Sequence, residues 1–162
     1  MDTGDSTRPA RRTRPSCRLL TALCLLACAW AAGAVDNPDA PDYLGEFRQR
    51  SAVLEQAVSE AAGGSAASEL GAWIEFLQTE LSQAEAELSS ALSAPERQRL
   101  QRAQAAWRKQ ADVDQALMRA MWTRERAGSS AALAVGLERG HALQQRVEFL
   151  LRMRGAVFAE GH

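Results

Sequence analysis

The chain has 162 residues, with 19 Lys and Arg against 20 Asp and Glu. That length suits a single domain, and a balance this near neutral excludes the strongly basic footprint of a nucleic-acid binder. Nucleic acid is therefore not expected as a partner.

Residues 1–34 read as a leader rather than as part of the domain. Arg8, Arg11, Arg12, Arg14 and Arg18 make a basic start, and the apolar run LLTALCLLACAWAAGA follows. Ala32 and Ala34 supply small residues before an expected cut between Ala34 and Val35, the pattern of a secretory signal peptide. The run is short for a transmembrane span of about 20 residues. A second reading takes Leu25-Leu26-Ala27-Cys28 as a lipobox, which would lipidate Cys28 and anchor the chain to a membrane. The apolar residues that follow Cys28 favour the signal peptide. The expected location is thus periplasmic or secreted, and membrane contact is expected only if Cys28 carries lipid.

Cys17, Cys24 and Cys28 all lie in this leader. A cut after Ala34 leaves no cysteine, hence no disulfide, no thiol nucleophile and no thiolate metal site. About 128 residues then remain, enough to bury one core by packing alone. Residues 35–96 hold 12 acids and two Arg, whereas residues 97–162 hold 12 bases and six acids. The domain is strongly dipolar along its sequence.

Residues 35–42, VDNPDAPD, read as a linker. Beyond them Ala, Leu, Glu, Gln and Arg predominate, all good helix formers, and no alternating β-branched run suggests a strand. The expected fold is all-α: an up-and-down antiparallel bundle of about four helices over residues 43–162. The first is expected from Tyr43 to Ala62, capped by Asp42 and ended by Gly63-Gly64. The second runs from Ala66 to Leu92, with Leu70, Ile74, Leu77, Leu81, Ala84, Leu88 and Ala91 spaced as a heptad seam and Trp73 widening it. Ser93-Ala94-Pro95-Glu96 matches a capping box. It opens a third helix expected to reach Arg126, with Leu100, Ala103, Trp107, Ala111, Leu117, Met118, Met121 and Trp122 as its buried stripe. On that reading Trp107→Ala costs about 3–5 kcal/mol. The fourth spans Ala131 to Phe158 and carries Leu133, Leu137, Gly140, Leu143, Val147, Leu150 and Leu151.

Catalytic residues are few. His162 is terminal, and His141 has only Glu138 nearby in sequence, short of the three or four convergent ligands that a metal needs. No phosphate loop or nucleophile elbow is present. No catalytic group, metal or cofactor is expected. Glu75, Glu80, Glu85 and Glu87 read first as a solvated helix face, and second as an acidic surface able to steer a basic protein partner. The arginines between Arg97 and Arg126 read mainly as partners for the acidic helices, with an anionic surface such as lipid head groups as the other reading.

Leu100, Ala103, Gln104, Trp107 and Asp112, in that order and spacing, resemble the central motif of the LprI-like lysozyme-inhibitor family of exported helical proteins. Leu81 upstream and Arg146 and Leu150 downstream extend the resemblance over residues 66–151. The chain departs from that pattern in having Gln110-Ala111 for an aromatic-Arg pair, Gln115 for a cysteine, Ser82 for Asn and Glu85 for an aromatic. The resemblance implies a helical fold and binding of a lysozyme, here through the acidic surface. The alternative is a non-enzymatic envelope adaptor that binds another protein by helix–helix contacts. The oligomeric state is left open.

Overall fold

The computed structural model describes residues 41–159, and side chains as far as Val157. The leader, its expected cut, Cys28, most of the linker and His162 lie outside the described residues.

Four long helices form: α1 (Tyr43–Glu60), α2 (Ser65–Ala91), α3 (Ala94–Met121) and α4 (Ala131–Ala159). Among the described residues there is no strand. The all-α bundle expected from composition is therefore what the chain adopts. The Asp42 side chain accepts from the Gly45 N–H at 2.8 Å and caps α1. After Glu60 the chain turns through Gly63, whose φ of 59° suits a residue without Cβ. At the start of α3 the Glu96 carboxylate reaches back to accept from the Ser93 N–H at 2.9 Å. These bonds from Ser93 hold the Glu96 carboxyl below the usual carboxylate range.

The largest difference from the expected boundaries is at the end of α3. The third helix stops at Met121 rather than Arg126. Thr123 is extended (ψ 162°), a single helical turn Arg124–Ala127 follows, and Gly128 at φ 67° leads into a 3-10 turn, Gly128–Ser130. No Gly or Pro marks this break, so propensity alone carries the helix through it.

The core lies between α1, α2 and α4. On α2 the buried residues are Leu70, Trp73, Leu77, Leu81, Ala84 and Leu88. The heptad seam is therefore present from Leu70 to Leu88, with Trp73 at its centre in place of Ile74, which is only half-buried, while Ala91, expected to close the seam at the helix end, is exposed. Helix α4 answers with Val135, Leu143, Val147, Leu150 and Leu151, and α1 with Phe47 and Val58. Leu70 meets Gly136 and Trp73 meets Gly140, while Glu87 pairs with Arg154 further along. Residue numbers rise together on both helices, so α2 and α4 lie parallel. Helix α1 runs antiparallel to them, joined by Arg50–Glu80 to α2 and by Arg48–Glu148 to α4.

Helix α3 departs most from expectation. Ala103, Leu117, Met121 and Trp122, expected in its buried stripe, are exposed, and Leu100, Trp107, Ala111 and Met118 are only half-buried. Its one fully buried residue is Gln104. Three helices already enclose the core, and α2 offers its seam to α1 and α4. Helix α3 is left to lean on the outside, over α4.

Candidate functional site

The site is built where α3 meets α2 and α4. Gln104 is fully enclosed, so its amide must find partners inside the protein. Its Nε2 donates to Glu85 Oε2 at 2.9 Å, and its Oε1 accepts from Arg146 Nε at 2.6 Å. Arg108, one helical turn further along α3, donates to the same Glu85 oxygen at 2.5 Å. Glu85 on α2, Gln104 and Arg108 on α3 and Arg146 on α4 thus form one continuous polar network.

Two aromatic rings flank the Arg146 guanidinium. Its central carbon lies 5.4 Å from the Trp107 ring centroid and 4.9 Å from that of Phe149, within cation–π range of both. Burial lowers the Arg146 pKa, the Glu85 carboxylate raises it and Arg108 lowers it. An arginine so placed stays charged at any ordinary pH. Its Nη2 is enclosed and has no hydrogen-bond partner among the described residues.

Beside this network α3 and α4 enclose an open groove of about 970 Å³. Trp107, Ala111, Met118 and Phe149 supply apolar wall, Arg139, Arg146 and Arg152 supply positive charge, and Asp114 and Glu148 line it with negative charge, Glu148 paired with Arg152. Asp112 lies on the α3 wall. A groove with aromatic anchors and fixed cations recognises a complementary surface. Among the described residues no three His, Cys, Asp or Glu side chains gather as a metal site. His141 sits half-buried, its Nε2 3.3 Å from Glu55 Oε1 and its ring edge-on to Trp73.

The residues singled out in the sequence divide. Gln104, Trp107 and Arg146 meet directly, Leu81 and Leu150 lie in the core beneath them, and Leu100 packs against that core from outside. Asp112 is exposed. Of the four acids proposed for a partner surface, Glu80 is held by Arg50, Glu85 by Arg108 and Gln104, and Glu87 by Arg154 and Gln83. Glu75 is exposed to solvent. Three of the four charges are compensated inside the domain, two of them by arginines from the basic half of the chain. Phe149 was not visible as a site residue. Its place on α4 three residues after Arg146 is a weak clue, since residues at that spacing share a helix face.

Compared with known proteins, the chain matches no family model, no curated sequence and no solved structure.

Proposed function

We propose that this chain is a non-enzymatic protein-binding module that seats an amphipathic helix of an envelope protein in the groove between α3 and α4. The observation that carries the reading is the groove itself, with Trp107, Met118 and Phe149 presented beside a guanidinium fixed by Gln104. Helix-in-groove recognition needs such a row of apolar anchors. The arginines on the groove wall suit a partner helix with an acidic flank. Crosslinking in an envelope extract, with purified Met118→Glu as control, tests it. Capture by the unaltered chain and its loss in the still helical variant is expected; equal capture by both removes the groove from the interaction.

A second reading follows the family resemblance. Three of the residues that carry it, Gln104, Trp107 and Arg146, meet at the Arg146 guanidinium, and Leu81 lines the same groove. On this reading the partner is a basic lysozyme, drawn by the acidic Glu75, Glu80, Glu85 and Glu87 surface. With three of these acids paired internally, the attraction is weaker than their number suggests. Assays against several lysozymes at micromolar protein and low salt decide the matter: absence of inhibition throughout eliminates this reading.

A further inference from the structure

Where α3 ends and α4 begins, a second hollow of about 660 Å³ opens, and it shares no lining residue with the groove. Part of its lining is apolar. Ala131 and Val135 are each 8% exposed, Ala132 lies beside them, and Trp122 is 38% exposed. Arg119 from the last turn of α3, Arg124 from the short turn after it and Ser129 supply the polar part. Among the described residues these two guanidiniums and the Ser129 hydroxyl have no hydrogen-bond or ion-pair partner. Elsewhere Arg48, Arg50, Arg108 and Arg152 are tied to carboxylates. No described carboxylate lines this hollow. Glu125 follows Arg124 in sequence, but it neither lines the hollow nor pairs with an arginine. The groove differs, since Asp112, Asp114 and Glu148 stand among its cations.

We infer that this hollow binds a small organic phosphate: a phosphate monoester head on an apolar body. Two positive charges with no carboxylate among them match a head of about two negative charges, which a phosphate monoester carries near neutral pH. A carboxylate head would balance only one of them. Guanidinium groups present paired donors that fit phosphate oxygens, and the Ser129 hydroxyl adds one more. The apolar body covers Ala131, Ala132, Val135 and Trp122. A mainly apolar lining with a few polar groups at one place is the pattern of small-molecule sites. Both ends of the ligand are therefore recognised, and neither inorganic phosphate nor a neutral aromatic molecule satisfies both.

Phenyl phosphate is the probe, titrated at low salt into the isotope-labelled full-length chain. The indole N–H signals are followed by NMR, that of Trp122 being assigned with Trp122→Phe. Trp73 reports on the core and Trp107 on the groove. The Trp122 signal is expected to move while those of Trp73 and Trp107 stay. Inorganic phosphate and phenol should each bind about tenfold or more weakly than phenyl phosphate, since each lacks one of the two recognised parts. R119Q/R124Q should weaken binding about tenfold or more by removing both charged donors. A132L keeps both arginines and fills the apolar side, and it should weaken binding to a similar extent. The Trp73 signal shows in each variant that the core is kept. No movement at Trp122 overturns the proposal, as does unaltered affinity in both variants. Inorganic phosphate binding as well as phenyl phosphate reduces the hollow to a bare anion site, and benzoate binding as well removes the dianionic head. Either result overturns the proposal, and movement of Trp107 alone assigns the probe to the groove and equally overturns it.

Discussion

Two tryptophans in similar helical contexts have different energetic weight. Trp73 is completely buried, its Nε1 donates to the Ser51 hydroxyl at 3.1 Å, and its six-membered ring packs against Gly140. Trp107 is half-buried over Arg146. Trp73→Ala should therefore cost about 3–5 kcal/mol, with the orphaned Ser51 adding to the loss. Trp107→Ala should cost about 2 kcal/mol from its smaller burial and lost cation–π contact, below the range expected had its stripe been core. Urea unfolding of both variants checks the order; an equal or larger loss at Trp107 contradicts it. Gln104→Met removes the amide that joins Glu85 to Arg146 while keeping its volume. The loss should be about 1–3 kcal/mol, the range for leaving a buried polar group unpaired, and an unaltered midpoint would show the network to be dispensable.

Among the elements, the close approach of α2 and α4 depends on the absence of side chains at Gly136 and Gly140. A Cβ at Gly140 would run into the Trp73 ring, and one at Gly136 into Leu70. Gly140→Ala should destabilise by about 1–3 kcal/mol through overpacking. Gly71 is also helical, but nothing lies within 4 Å of its Cβ position. Gly71→Ala should stabilise by about 0.5–1 kcal/mol, the ordinary gain in a helix interior. Opposite signs for the same substitution, read from thermal unfolding, are the expected result; a shared sign contradicts the parallel packing. Helix α3 buries one residue fully, so its amides should exchange with solvent faster than those of α2 or α4. Hydrogen exchange by mass spectrometry reads this directly.

Over the whole molecule, ion pairs tie the two halves of the chain together. Arg48 meets Glu148, Arg108 meets Glu85, and Arg154 meets Glu87 while stacking on Tyr43. In the first two pairs the arginine is about half exposed, and each contributes about 0–1 kcal/mol, so they orient the helices more than they hold them. Glu148 is the clearest case. Its hydrogen bond from Arg48 draws its carboxyl below the usual 4.5, outweighing the upward push of burial, and Arg152 adds to the effect. A depressed carboxyl stabilises the fold above pH 4.5, and that contribution is lost as pH falls through its lower folded value. Glu148→Gln should therefore lose stability at pH 7 and show a flatter decline below pH 4.5. An acid limb as steep as that of the unaltered chain would remove Glu148 from the account.

The four helices, the Asp42 cap, the Glu96 reach-back and the α2 seam were legible in the sequence, because each rests on spacing or propensity within one segment. Gln104, Trp107 and Arg146, which the structure brings together, were singled out in the sequence only through a resemblance. The end of α3 at Met121, the parallel pairing of α2 with α4 and the exposure of Leu117, Met121 and Trp122 were not. Periodicity tells which face of a helix is apolar, but not whether a partner is available to cover it. Here α1, α2 and α4 satisfy one another, and α3, with an equally plausible stripe, is left outside. That same exclusion leaves a groove beside Arg146 and brings apolar side chains to the surface. It follows from competition among helices for one core, which only the assembled structure decides.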